Sequence, residues 1–292
     1  GLKPNWGRVS RYGVLGLAPS LDHVGPMTRT VADAAAMLAV LAGSDENDPT
    51  SLPDNVSDYL GEIRGGLQGL RVGFDPEYGS NGVEVETVAA VEEATQALEQ
   101  LGGRLVRVQM PAFDSRHQDA WVTICSAEAA AEHARTFPSR AGQYGTYFRS
   151  FLERGSQSTG VEYARANVVR QELSGAIRRV FRDIDVLACP SVAYNGCRYN
   201  PVDAYGGTVF DRVETLSGVP TACLSVSSRF TMPFNFCGYP TLSLPCGFSR
   251  EGWPLSLQLV GHPLSEALLC RAGHAYEEST GWHTRHPVVG AG

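Results

Sequence analysis

The chain has 292 residues, 43% hydrophobic and 19% charged, with 24 Lys and Arg against 31 Asp and Glu and a net charge of -7. That length can bury a sizeable core as one large domain or two closely packed ones. The acidic balance argues against nucleic acid or an anionic membrane held by general electrostatics, and no apolar run approaches the roughly 20 residues of a membrane span.

Residues 1–30 are rich in Gly, Pro and Ser with apolar residues in short bursts, the texture of ordered irregular structure; GLKPNWGRVSR at the start is not a signal peptide. Thr30 and Asp33 stand at capping-box spacing. Val31, Ala34, Ala35, Leu38, Leu41 and Ala42 then recur at helical intervals until Gly43, which predicts a helix. Residues 44–56 are a polar, Pro-containing loop. A strand over 70–74, a helix over about 84–101 stopped by Gly102 and Gly103, and a strand over 104–108 predict a βαβ unit with a parallel pair.

Helical regions follow at about 119–135 and 161–181. The second carries an apolar stripe of Tyr163, Ala166, Val169, Leu173, Ile177 and Val180, while Arg165, Arg170, Arg178, Arg179 and Arg182 mostly face away and read as a solvated row. IDVLACP at 184–190 is a near-continuous apolar run, hence a buried strand whose C-terminal end is placed to line a pocket. Residues 195–228 read as an ordered surface excursion. Strands over 241–246 and 255–260, joined by a turn through 249–254, make a hairpin, and a helix over about 264–279 closes the chain. This alternation predicts an α/β fold with a mixed β-sheet flanked by helices.

Spacing alone shows no complete catalytic constellation within the chain. No serine sits in G-x-S-x-G, and no His is recognisably paired with a Cys. The seven cysteines include no C-x-x-C pair and read as reduced core residues of a cytosolic protein; Cys189 is the best of a weak set of thiol nucleophiles. His283 and His286 offer two metal-ligand side chains without a third, so a surface tail is expected. Glu92 with Glu93, and Glu277 with Glu278, fall on helix surfaces and read as solvation. Asp33 is read as a helix cap, Asp22 as a turn stabiliser and Gln258 as a satisfied buried amide.

Three stretches change the picture: residues 1–33 (GLKPNWGRVSRYGVLGLAPSLDHVGPMTRTVAD), 48–51 (DPTS) and 230–274 (FTMPFNFCGYPTLSLPCGFSREGWPLSLQLVGHPLSEALLCRAGH). With IDVLACPS at 184–191 and GWHTRHP near the end, they resemble the amidase signature family over essentially the whole chain. The resemblance implies an α/β fold of amidase-signature type and a Ser, cis-Ser, Lys triad. In that triad the lysine, acting through the bridging serine, deprotonates a nucleophilic serine, and acyl transfer passes through an acyl-enzyme. In such proteins these three residues precede the GLKP motif, which here is residues 1–4. Lys3, the chain's single lysine, matches no catalytic position. The resemblance thus implies that residues 1–292 are the C-terminal portion of a single amidase domain, with no catalytic residue of their own. Alone, they are expected to be inactive and poorly soluble.

By the same resemblance, Ser228, Phe230, Thr231, Met232 and Asn235, with Ser191 from the loop after the buried strand, line the acyl-side pocket. Core packing is the alternative for Phe230 and Met232, and a structural hydrogen bond for Thr231 and Asn235. The expected activity is amide hydrolysis on a small-molecule substrate, in the cytoplasm, without metal or cofactor, without nucleic acid or membrane, and with a homodimer left open. Two other readings stay open: the glutamine-hydrolysing subunit of a tRNA-dependent amidotransferase, and an inactive relative serving as a binding module. The amidotransferase branch commonly carries an acidic residue where Ser228 stands, which weighs against glutamine.

Overall fold

A computed structural model describes residues 1–195, 197–198, 214–215 and 228–285. Its centre is a six-stranded mixed sheet in the order β1-β7-β8-β4-β2-β3. Strands β2 (Arg71–Phe74), β3 (Arg104–Arg107) and β4 (Val186–Pro190) are mutually parallel, with β2 in the middle. The long hairpin of β7 (Thr241–Phe248) and β8 (Pro254–Gly261) joins the sheet through β8, which pairs antiparallel with β4, and β1 (Leu2–Lys3) pairs antiparallel with β7. A separate two-stranded ladder joins β5 (Cys197–Arg198) to β6 (Glu214–Thr215); the rest of the excursion expected over 195–228 lies outside the described residues apart from Asn195 and Ser228.

The strand period of two sorts side chains to two cores. Val186, Ala188, Leu257 and Leu259 point into one, where α1 (Val31–Leu41), α3 (Val85–Gln100) and α8 (Glu266–Thr280) lie. Leu187, Cys189 and Val260 point into the other, under α4 (Ser115–Glu132), α6 (Gly160–Val180) and the short α7 (Met232–Phe236). All of β4 is buried because both its faces are covered. Each fully buried Leu, Ile or Phe in these layers contributes about 1.5–3 kcal/mol. A small satellite core of Ala129, Phe137 and Leu152, ringed by Tyr144, Phe148 and Phe151, joins α4 to α5 (Thr146–Gln157). The close α4–α5 approach requires glycine at 155, where a Cβ would overlap the Ser126 carbonyl.

The Thr30 cap acts as read, accepting from the Asp33 amide. Thr159 with Glu162 closes a capping box on α6 that sequence reasoning did not single out. Asp22 accepts from the amides of Leu17 and Ala18 at 2.9 and 3.0 Å. Three expectations need correction. Arg165, Arg178, Arg179 and Arg182 are exposed, but Arg170 turns inward and spends its donors on protein carbonyl and hydroxyl groups. Glu277 is buried rather than solvated, with both carboxylate oxygens accepting from the Val31 amide at the start of α1. His283 is half-buried in a turn packed beside it, not part of a free tail; His286 lies outside the described residues.

Candidate active site

Segment 228–239 packs on one face of the sheet, against β4 and β8 and against the helix that follows β2. Cys189 on β4 faces Gln258 on β8. The buried Gln258 amide donates to the Phe230 carbonyl at 2.7 Å and to the Cys189 sulfur at 3.4 Å, as expected of a satisfied core amide. The Phe230 ring is fully buried and meets Tyr78 edge-to-face, with centroids 5.0 Å apart. Tyr78 comes from α2 (Pro76–Ser80), which begins at the end of β2. Asp75 caps this helix through its Oδ1, while its Oδ2 accepts from the Met110 amide at 2.7 Å in the loop after β3. Arg229 lays its guanidinium 4.7 Å above Phe230, donates to the Tyr78 carbonyl at 2.7 Å and to that of Asn81, and accepts the Tyr78 hydroxyl on its own carbonyl.

The segment is pinned again further along. Arg170 donates through Nε to the Phe236 carbonyl at 2.9 Å, and through its terminal nitrogens to the Ser20 hydroxyl and carbonyl at 2.8 and 2.9 Å. Glu128 steadies that arrangement by accepting from Ser20 and from the Tyr163 hydroxyl. The Trp6 amide donates to the Gly238 carbonyl at 2.9 Å. Lys3, half-buried at the end of β1, donates to the carbonyls of Phe234 and Tyr239. Burial lowers its pKa to about 8. Its ammonium also faces His23, whose Nδ1 is 2.6 Å from the Leu21 carbonyl. Nδ1 therefore carries the ring proton and Nε2 is free to accept. Burial, reinforced by the charge of Lys3, pushes the His23 pKa down to about 3.

The six side chains singled out from sequence fall around this frame. Ser191 follows β4; its hydroxyl donates to that of Ser243 on β7 at 3.2 Å. The Ser243 amide and carbonyl pair with Gly1 at 2.8 and 3.0 Å, so Ser191 stands one residue away from the first residue of the chain. Ser228 and Phe230 begin the pinned segment, Ser228 half-buried with its carbonyl accepting from the Thr231 amide at 3.2 Å. Thr231 itself is exposed and turns its hydroxyl back toward the Ser228 carbonyl at 3.4 Å, so its polar group does not need a buried partner. Met232 and Asn235 are half-buried on α7. Sequence reasoning missed Tyr78, Arg170 and Arg229; an arginine directly before the signature stretch 230–274 was the available signal for Arg229.

Two clefts open nearby, the first lined in part by the segment itself. One, about 310 Å³, opens at the carboxyl ends of β2 and β3 between Asp75, Tyr78, Met110, Phe113 and Arg229. Parallel strands leave ligand crevices at such ends. The other, about 520 Å³, lies beside His23, Arg11, Asp22, Asp48 and Glu132. Among the described side chains the cysteines Cys125, Cys189, Cys237, Cys246 and Cys270 are free thiols. Burial raises Cys189 to about 12, which removes it as a nucleophile at neutral pH. No helix among the described residues is long and apolar enough to cross a membrane.

Comparison with known proteins accords with this geometry. An amidase from Pseudomonas putida is 38% identical over 295 residues, covering 100% of this chain and 61% of that protein. A glutamyl-tRNA(Gln) amidotransferase component from Thermosynechococcus vestitus is 34% identical over 316 residues, covering 99% and 62%. The solved structure of 6-aminohexanoate cyclic dimer hydrolase superposes with a TM-score of 0.81 at 27% identity, covering 98% of this chain and 61% of that one. The chain spans 58% to 62% of the length of such curated relatives. The Amidase family profile matches residues 1–270, and on that match the chain belongs to the amidase signature family.

Proposed function

We propose that the protein hydrolyses a carboxamide C–N bond through an acyl-enzyme on a serine that precedes Gly1 in family order, with a lysine and bridging serine from the same upstream region as its base. One observation carries the reading: segment 228–239 is pinned by side chains from several separate parts of the chain, and Gln258, which holds its Phe230 end, pairs across the sheet with Ser243, the residue that meets both Ser191 and Gly1. A serine delivered from before Gly1 would arrive there, with Ser191, Ser228, Phe230, Thr231, Met232 and Asn235 as the acyl-side wall. The free thiols fit a reducing cytoplasm.

Glutamine hydrolysis for a tRNA-dependent amidotransferase is the second reading, favoured by relatives of that name. Ser228 offers no charge to a substrate ammonium, and its neighbour Arg229 is a cation. We therefore favour an amide whose acyl part bears no ammonium group. The test is ammonia release by the polypeptide expressed from its coding region with the sequence upstream of Gly1 included. Simple aliphatic or aryl amides should be turned over and free glutamine should not. Turnover of glutamine alone would transfer the assignment to the second reading, and reaction with neither would leave the binding-module reading.

A further inference from the structure

On the opposite face of the sheet from segment 228–239, α8 carries His274, Glu277 and Glu278. One ligand atom from each lies within 4.8 Å of the others. Their spacing of three and four residues sets them on one side of the helix. The three differ in setting: Glu278 is exposed, His274 half-buried and Glu277 buried. The helix ends at Gly281, whose left-handed backbone (φ 65°) folds the chain back into a short turn over Trp282–Thr284. That return places His283 in the same small cleft as Glu277, with Tyr276, Thr280 and Trp282.

Both imidazoles hold a nitrogen that the fold does not use. The Nδ1 atoms of His274 and His283 are buried, and neither has a hydrogen-bond partner. A buried ring nitrogen without a partner is costly, and these two flank one carboxylate. The carboxylate of Glu277 is engaged on one side only, by the Val31 amide at 3.0 and 3.1 Å, so lone pairs remain on both oxygens. Imidazole combined with carboxylate is a donor set that suits zinc-like divalent ions better than magnesium or calcium.

We propose that His274, Glu277 and Glu278 bind a divalent transition-metal ion, with His283 lining the site. The ion would clamp the end of α8 to the start of α1, because Glu277 already ties those two helices together. The role is structural and does not depend on the amide-hydrolysis reading.

The test is titration of the chelator-treated polypeptide, expressed with the sequence upstream of Gly1 included, with Zn²⁺ by calorimetry, with Mg²⁺ as control, followed by thermal unfolding with and without Zn²⁺. One Zn²⁺ should bind per chain at micromolar concentration and raise the unfolding midpoint, and Mg²⁺ should do neither. His274→Ala and Glu278→Gln alter partly or fully exposed side chains, and circular dichroism would verify their folding. Each should weaken Zn²⁺ binding by about tenfold or more. Failure of the parent chain to bind micromolar Zn²⁺, or binding equally tight in both folded variants, overturns the proposal.

Discussion

The Nζ of Lys3 lies 3.4 Å from the Nε2 of His23, so the chain's single lysine donates to a neutral imidazole rather than to a carboxylate. Its other partners are the carbonyls of Phe234 and Tyr239. Replacing Lys3→Met keeps most of the side-chain volume but strips the donor from all three acceptors. We expect a loss of about 2–4 kcal/mol, since each orphaned buried acceptor carries a desolvation penalty of about 1–3 kcal/mol. The urea midpoint of the variant against the parent measures it.

His23 sets an acid limit. Its imidazole stays neutral in the fold down to about pH 3, whereas an unfolded imidazole charges near pH 6.5. The unfolded chain therefore takes up the proton first. The stability that this site contributes is complete above pH 6.5 and is lost as pH falls toward 3. Unfolding free energies between pH 6.5 and 5 should decline less steeply for His23→Gln than for the parent; equal slopes would refute the assignment.

The thiols set an alkaline limit. Burial raises Cys189, Cys246 and Cys270 to about 12 and Cys237 to about 11, from an ordinary 9.0. Their contribution is complete below pH 9 and is lost as pH rises toward 12, because the unfolded thiols ionise first. Chemical denaturation at pH 8 and pH 10 should show a marked drop for the parent and a smaller one for Cys270→Ala, once each protein is referred to its own stability at pH 8.

Gly155 on α5 admits no side chain, since a Cβ there would overlap the backbone of α4 at Ser126. Gly155→Ala should cost about 1–3 kcal/mol despite its better helix propensity. Limited proteolysis should then cut first within 136–157, the region that the small satellite core holds down.

Much of this architecture is legible in the sequence because it is written locally. Thr30 with Asp33 and the apolar rhythm after them mark α1; Gly102 and Gly103 mark where α3 stops; the run before Pro190 marks β4. What escapes is set by distant partners. The two residues of β1 are a strand only because β7 lies alongside. Helix α5 lacks a side-chain cap at Gly145, so nothing local announces its start. Arg170 looks like its four exposed companions until Ser20 and Phe236 arrive beside it, and Glu277 resembles a solvated carboxylate until α1 docks its amides. Of the candidate site, the signature segment shows in the sequence, but its supports are scattered across residues 3, 6, 170 and 258.

That scattering separates shape from selectivity. The carbonyls of Phe230, Phe234, Phe236, Gly238 and Tyr239 are gripped by donors that lie outside segment 228–239, so its path does not depend on the side chains at 231, 232 and 235. Those three positions can be varied together while the loop keeps its course. On the proposed acyl-wall reading, a lineage or a mutant library can thus try new substrate preferences at small cost to folding.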